Sequence, residues 1–518
     1  MTRALQSFTE GAWRDGGGGA KALRDAATGE TVATIPRDGP DPAAMLAYAR
    51  DVGGPTLRAL TFTQRAGILK ALARPLSGHL DEFAELSTRT GATRRDTAVD
   101  VDGGIGTLAV YASKAARELP DATTLLDGDV EPLGKSGTFA GQHVYTSKLG
   151  AAVQINAFNF PVWGMLEKFA PAFLAGMPSV VKPASQTAYL TELVVRRIVQ
   201  SGLLPYGALS LLCAGPAGLL NVLTAQDTVG FTGSAATALA LRTHPVVAGR
   251  SVAFNAEADS LNCSILGPDV STGDPEFALY VDQLVTEMTV KAGQKCTAVR
   301  RAFVPAALAD AVTEAVCARL ARIVVGHPGL PDTDMGPVAS LDQRVEVRAA
   351  IGRLSAGTTL LFGDPNRAKV SGADAERGAF LSPVLLRSND IRAAAPHEVE
   401  AFGPVCTVLS YANVEEVIDS AALGGGSLAG SIVTHDRAVA LRLVTGLAPW
   451  HGRLLVLDRE DAAESTGHGV AMPQMLHGGP GRAGGGAELG GLRALTQYLQ
   501  RTAVQGHPEF LKGLSASG

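Results

Sequence analysis

The run Gly150-Ala-Ala-Val-Gln-Ile-Asn-Ala-Phe-Asn-Phe-Pro-Val-Trp-Gly-Met-Leu-Glu-Lys168 decides how the chain reads. Gly150 to Phe158 is an apolar run of strand length, Asn159-Phe-Pro161 is a turn, and Val162 to Leu174 is an apolar helix carrying Lys168. Gly176-Met-Pro-Ser closes that helix, and Val180-Val-Lys182-Pro183 is a short second strand. The rhythm then repeats. Leu190, Leu193, Val194, Ile198 and Val199 share one helix face that ends at Gly202. Ala208 to Cys213 reads as a strand, Ala217 to Leu223 as a short helix and Thr228 to Thr232 as a strand. Gly233-Ser234 is a tight turn before a helix over Ala236 to Thr243. Strands alternating with helices at this spacing predict a mostly parallel, doubly wound α/β sheet. Such sheets bind ligands at the carboxyl ends of their strands.

Upstream of this run, His143 to Leu149 alternates as a strand, residues 120–142 look irregular, and Asp41 to Ala116 has helical periodicity. Residues 1–40 are polar and glycine-rich, with Gly16 to Gly19 expected as an exposed turn. Downstream, Val252 to Ala256 and Asn262 to Leu266 read as buried strands. A punctuated helix follows: Asp274 is the expected N-cap and Pro275 the first helical residue. Phe277, Tyr280, Val281, Leu284, Val285 and Met288 form its apolar face, and Gly293 its end. Val299 to Val304 is the next strand. Cys296 therefore lies on a short turn among Lys291, Lys295, Arg300 and Arg301, and cations favour the nucleophilic thiolate. A small buried hydrophobe is the equal alternative for a lone cysteine. Strands and helices alternate again through residue 460, which implies a second α/β domain. Gly478 to Gly486 reads as a flexible surface loop, and Leu492 to Val504 as an edge strand or helix.

At 518 residues the chain exceeds a single hydrophobic core, so at least two domains are expected. A net charge of −5 carries no polycationic footprint, so nucleic acid is not an expected partner. The five cysteines, Cys213, Cys263, Cys296, Cys317 and Cys406, are odd in number and form no CxxC pair. Neither a disulfide framework nor a zinc site is expected, and a reducing, cytoplasmic setting is the natural one. The N-terminus builds no signal-peptide core, and no run reaches the ~18 apolar residues needed to span a bilayer.

Several residues suit chemistry without compelling it. Amides at Gly233-Ser234 could hold a pyrophosphate, although there is no GxGxxG and no P-loop. Glu257 ends a buried strand and is either a solvated strand end or a poised base. Asn159 is either a plain cap or an amide donor to an oxyanion. His468 and His477 share a glycine-rich context, but their spacing matches no ligand motif and no metal is expected there.

Taken in order, Phe158-Asn159-Phe-Pro161, Lys182-Pro-Ala184, Phe231-Thr-Gly233-Ser234, Glu257, Gly293-Gln-Lys-Cys296 and Glu400-Ala-Phe402-Gly-Pro404 resemble the aldehyde dehydrogenase superfamily. The resemblance implies a Rossmann-type dinucleotide domain over residues 1–126 and 151–262, and a catalytic α/β domain over 263–478. Residues 127–150 and 479–518 would be a small β-extension for oligomerisation, giving a homodimer. It implies that Cys296 is the nucleophile, Glu257 the base for the hydrolytic water, Asn159 part of the oxyanion hole, and Lys168 a lysine near the cofactor. Lys182, Ser185, Gly233, Ser234, Glu400 and Phe402 would bind the dinucleotide. The stretches 156–168, 257–263 and 477–486 further resemble the branch of the family that acts on CoA-linked semialdehydes in aerobic benzoate and phenylacetate catabolism. The phenylacetate enzyme carries a hydratase domain after its dehydrogenase. Because this chain stops at Gly518, the stand-alone benzoate-pathway activity on 3,4-dehydroadipyl-CoA semialdehyde is the expected one. The ring-opened phenylacetate-pathway CoA semialdehyde as substrate, a CoA-acylating dehydrogenase and a non-catalytic binding protein on the same fold are the alternatives.

Three positions depart from the family pattern. Glu257 is followed by Ala-Asp-Ser instead of Leu-Gly-Gly, and Ala238 stands where a second glycine is usual. Ser185 replaces the glutamate that commonly follows Lys-Pro-Ala. A carboxylate there would repel a 2′-phosphate, so serine predicts NADP as cofactor.

Overall fold

The computed structural model describes residues 3–216, 218–488 and 490–515. The opening run forms its strand over Ala152–Ile155, the third strand of a seven-stranded sheet. Strand order is Ala253–Glu257, Thr228–Thr232, Ala152–Ile155, Ser179–Lys182, Leu209–Leu211, then the hairpin Ser7–Thr9 and Ala12–Arg14. The first five strands are parallel. Successive residues face opposite sides of a strand, and both sides here are covered. Ala152 and Val181 pack with Phe62, Leu69, Leu108, Leu166 and Phe169 on one face. Val153 and Val180 pack with Met45, Leu46, Val229 and Val247 on the other. Burial on both faces is why these strands read as near-continuous apolar runs.

A second seven-stranded sheet runs Thr359–Phe362, Val384–Ser388, Val405–Tyr411, Arg301–Pro305, Cys263–Leu266, Ser427–Val433, His451–Leu457. Only Thr359–Phe362 is antiparallel. Helix Pro275–Thr289 packs on it through Tyr280, Val281, Leu284 and Met288.

Three local readings needed correction. Gly17–Arg24 is a strand paired with Thr31–Asp38, although Gly16 to Gly19 are exposed as expected; the β-branched partner strand supplies the ladder. Within 120–142, Leu125–Pro132 pairs with Ala140–Ser147, and a register shift between Asp127 and Glu131 erases the alternation that would have revealed it. Leu499–Gly506 adds to that pair as an edge strand. The short helix expected from Ala217 is a 3-10 turn over Leu219–Val222; Ala217 lies outside the described residues.

Register places the site. Ile155 pairs with Lys182 and Phe231, and Thr232 pairs with Glu257, so the carboxyl ends of four strands lie at one edge. Helix Trp163–Leu174 starts there without a cap of its own. Asp100, from a different helical segment, accepts from Val162 N at 3.2 Å and Trp163 N at 2.8 Å. Its complete burial pushes the carboxyl up to about 6, against the opposing charge of Lys291. A raised carboxyl stabilises the fold below its unfolded value and loses that contribution as pH rises through its folded value. Asp100→Asn keeps one acceptor for the helix and removes the buried charge. Thermal melts across about pH 4 to 7 should show the wild type losing stability relative to this variant as pH rises, by on the order of 3 kcal/mol.

Candidate active site

Helix Pro275–Thr289 ends before Gly293, and Asp274 does not cap it with its side chain. Instead that carboxylate takes Ser271 N at 2.7 Å and Ser271 Oγ at 2.6 Å. The chain then makes a left-handed turn at Lys291 (φ 56°), Ala292 (φ 50°) and Gly293 (φ 67°). Side chains other than glycine pay roughly 1–2 kcal/mol per residue for that conformation, so outside contacts must hold it. Asp96 Oδ1 accepts from Lys291 N at 2.6 Å, and Gln294 Nε2 donates to Lys291 O at 3.0 Å. Arg300 Nη2 donates to Gly293 O at 2.9 Å and Lys295 O at 3.2 Å, and its Nη1 to Gly403 O at 2.9 Å. The turn aims Cys296, half-buried, into the space between the two sheets.

The basic neighbours do not activate the thiol. Lys295 Nζ is held by Glu287 at 2.7 Å, Arg300 by backbone carbonyls, and Arg301 by His397 and the carbonyls of Leu261, Ser420 and Ala421. Burial, reinforced by the charge of Glu257, pushes the Cys296 thiol up to about 12. What faces Sγ came from elsewhere in the chain. His477 Nε2 lies 3.7 Å from Cys296 Sγ and 2.9 Å from Glu257 Oε2. Burial alone would raise Glu257, but the charge of His477, with Lys168, outweighs it and holds the carboxyl at about 2. Asn159 Nδ2 donates to Gln294 O at 3.0 Å, which locks the amide beside the same turn.

Lys168 is fully buried behind Glu257. Its Nζ lies 2.8 Å from Glu488 Oε2, 3.4 Å from Glu167 Oε1 and 2.8 Å from Thr232 Oγ1. Burial opposes its charge, yet Glu488, Glu167 and Glu257 together hold the ammonium well above its usual range. Burial in turn raises Glu167 and pushes Glu488 up to about 7. The donor atoms of Glu257, Cys296 and His477, and of Glu167, Glu257 and Glu488, lie within 4.8 Å of one another. His477 and Lys168 already serve as the cations of these two sets, so no metal is needed to balance them.

Cys296, Glu257 and Asn159 form a shared wall between two cavities. The larger, of 710 Å³, runs past Phe158, Gly233, Ser234, Glu400 and Phe402. The smaller is narrow and runs between Phe160, Trp163, Thr297, Gly469 and His477. A dinucleotide fits the larger cleft on its own terms: Asn156 lines it with both amide atoms buried and unpartnered. Phe402 stacks edge-on against Phe158 at 5.9 Å, and Glu400, pushed up to about 7 by burial, accepts from Ser260 N at 3.3 Å. Lys182 Nζ donates to Pro183 O at 2.6 Å, and Ser185 opens a 3-10 turn beside it. The Gly233-Ser234 turn is less open than expected. Gly233 N donates to Glu257 O, Ala235 N to Asp259 and Thr237 N to Ser234 Oγ, because Asp259 and Ser234 cap the helix Ala235–Arg242.

The segment from Gly478 is no surface loop. Gly478–Gly479 pairs with Gly486–Ala487, and Ala258 N donates to Ala483 O at 3.0 Å. A Cβ at Gly484 or Gly486 would stand 2.3 Å from Ala256 O, so the glycines allow close backbone contact behind the Glu257 strand. His477 leads into this segment and Glu488 follows it, which is how both reach the site. Sequence reading weighed His477 only as a metal ligand and missed Glu488 and Glu167. The adjacent charges Glu167-Lys168 inside an otherwise apolar helix were the available signal. Gly293 is under the same constraint: a Cβ there would lie 2.2 Å from Gly403 O. Gly293→Ala should therefore displace the Cys296 turn, which a loss of about 100-fold or more in Cys296 alkylation and turnover, with nucleotide binding retained, would register.

Residues 13–504 match the profile of the aldehyde dehydrogenase family. The chain is 44% identical over 479 residues to the 3,4-dehydroadipyl-CoA semialdehyde dehydrogenase of Aromatoleum evansii, covering 92% of this chain and 93% of that one. It is 46% identical over 179 residues to the protein MaoC of Klebsiella aerogenes, covering 34% of this chain and 52% of that one. Among solved structures, a 3,6-anhydro-L-galactose dehydrogenase in complex with NAP superposes with a TM-score of 0.84 at 23% identity, covering 98% and 100% of the two chains. Betaine aldehyde dehydrogenase from Staphylococcus aureus in complex with NAD+ gives 0.83 at 23% identity, covering 97% and 95%. These likenesses show the same fold.

Proposed function

The chain belongs to the aldehyde dehydrogenase family, and from that premise we propose that it oxidises 3,4-dehydroadipyl-CoA semialdehyde to the carboxylic acid with NADP, in aerobic benzoate catabolism. The observation that carries the chemistry is Cys296 standing with Glu257 and Asn159 where the dinucleotide cleft meets a narrow second cavity. The substrate assignment rests on 44% identity along nearly the whole length of the Aromatoleum enzyme.

Bound in the larger cleft, the nicotinamide supplies the hydride acceptor. Cys296 Sγ attacks the aldehyde carbon presented through the narrow cavity. The Cys296 amide, which donates to no acceptor among the described residues, and the second N–H of Asn159 receive the oxyanion. Donors of this kind are typically worth ~3 kcal/mol. The thioester left on Cys296 is opened by water, whose proton Glu257 accepts. A carboxylate held within reach of Sγ favours water over free CoA as the resolving nucleophile, against a CoA-acylating reaction. In rapid-mixing experiments Cys296→Ala should form no NADPH, while Glu257→Gln should give a burst of about one equivalent and then stall. Turnover of the CoA-linked semialdehyde without added CoA, and poor use of the free semialdehyde, would support the substrate assignment; the opposite preference would sink it.

Cofactor choice turns on Ser185. With Lys21, Arg24 and Arg377 it lines a further cavity of 390 Å³ that also holds Asp25 and Asp342, and Asp25 is already paired with Arg89 at 2.8 Å. No carboxylate stands at position 185 itself to repel a 2′-phosphate. Wild-type kcat/KM should favour NADP, and Ser185→Glu should lower it with NADP by about tenfold or more while leaving NAD little changed.

In the sheet of Leu125–Pro132, Ala140–Ser147 and Leu499–Gly506 the edge strand Leu499–Gly506 is mostly exposed, and Leu133 and Phe139 beside it are 51% and 45% exposed. We read it as the homodimer contact of residues 127–150 and the C-terminal segment. Among the described residues no helix is long and apolar enough to cross a membrane, and the free cysteines suit the cytoplasm.

A further inference from the structure

The larger cleft is rich in carboxyl groups. Asp259, Glu346, Glu398 and Glu400 line it besides Glu257, and the only cationic side chains on its wall among the described residues are Arg353 and Arg482. A dinucleotide brings a doubly charged pyrophosphate into this cleft. At the Gly233-Ser234 turn, the seat that the sequence suggests for it, three amides are already taken. Gly233 N donates to Glu257 O at 3.2 Å, Ala235 N to Asp259 Oδ1 at 2.8 Å and Thr237 N to Ser234 Oγ at 3.3 Å. The Asp259 carboxylate itself stands at the start of helix Ala235–Arg242, where the helix would otherwise favour an anion. A pyrophosphate there needs a cation from another part of the chain.

Arg482 is placed to be that cation. It sits in the 3-10 turn Gly481–Ala483, whose backbone is fixed on both sides. Arg482 N donates to Gly425 O at 2.9 Å, and Ala483 O accepts from Ala258 N at 3.0 Å. The side chain is far less committed. Among the described residues its guanidinium makes no direct hydrogen bond, and its ion pair is loose, with Nη2 3.8 Å from Asp259 Oδ2. Asp259 thus spends one oxygen on the helix and turns the other toward Arg482. Arg353 is the exposed member of the two, on the last turn of helix Leu341–Ser355, whereas Arg482 is already drawn to the carboxylate beside the turn. A guanidinium presents paired donors that match two phosphate oxygens at once.

Resting on the dinucleotide reading of this cleft, we propose that Arg482 binds the cofactor pyrophosphate and that Asp259 holds its guanidinium beside Ser234 until the cofactor arrives. On binding, the loose pair opens and the guanidinium turns its donors to phosphate oxygens. Asp259 keeps its other oxygen on Ala235 N and remains the helix cap. Two features of the sequence then explain each other. The Ala-Asp-Ser that follows Glu257 places a carboxylate where an anion would bind, and the arginine within the glycine segment restores the attraction.

The test is calorimetric titration of the full-length enzyme with NADP and with NAD, which share the pyrophosphate and differ in the 2′-phosphate. Arg482→Gln should weaken both by about tenfold, with Arg482→Lys intermediate. Asp259→Asn keeps an oxygen for Ala235 N, removes the charge that competes for Arg482, and should tighten both by about threefold. The two members of one ion pair then move affinity in opposite directions, which a merely structural pairing would not produce. Unchanged affinities in Arg482→Gln, a loss confined to NADP, or weaker binding by Asp259→Asn would overturn the proposal. In the wild type, phenylglyoxal modification of the Arg482 peptide, followed by mass spectrometry, should be suppressed by saturating NAD and not by adenosine 2′-monophosphate. Equal protection by both, or by neither, would overturn it without any variant. Failure of the wild type to bind either nucleotide would instead overturn the dinucleotide reading of the cleft.

Discussion

The left-handed turn at Lys291–Gly293 is the constraint on which the rest depends. It brings the end of a helix packed on the second sheet back toward the first, and sets Cys296 between them. Two of its residues have side chains that disfavour the conformation, so the turn persists only because its surroundings over-determine it. Asp96 holds its first amide, Arg300 its last carbonyl, and Gln294 ties it to Ala339 N at 3.0 Å. The segment supplying Asp96 also supplies Asp100, the borrowed cap of helix Trp163–Leu174. One short stretch thereby positions both the Cys296 turn and the helix bearing Glu167 and Lys168.

The second organising fact is electrostatic. Glu167, Glu257 and Glu488 are buried together, an arrangement that would be prohibitive without compensating charge. Lys168 provides it on one side and His477 on the other. This environment separates the carboxyls by proton affinity: Glu257 is held at about 2, whereas Glu488 is pushed up to about 7. Groups of one chemical type, held apart in proton affinity by their neighbours, can serve different steps of one reaction.

Much of this was legible in the linear chain. The apolar strands of the first sheet, the helices between them and the positions of Asn159, Glu257 and Cys296 followed from periodicity, punctuation and family resemblance. Those signals are local, or persist as short motifs. The misreadings have a common cause. Gly17–Arg24 and Leu125–Pro132 are strands whose ladders come from a partner, and their own residues carry no clean alternation. Gly478 to Gly486 has the composition of a loose loop, yet its missing side chains let it pack against Ala256 O.

By itself the sequence determined the doubly wound architecture, the family and the candidates for the chemistry, because burial pattern and residue type are written position by position. Only the tertiary structure decided what surrounds Cys296. The lysine and arginines adjacent in sequence turn away to carbonyls, Glu287 and His397, while His477 arrives from 181 residues downstream. Proton affinity depends on distance through space in a medium that screens poorly, and the order of residues along the chain does not report that distance.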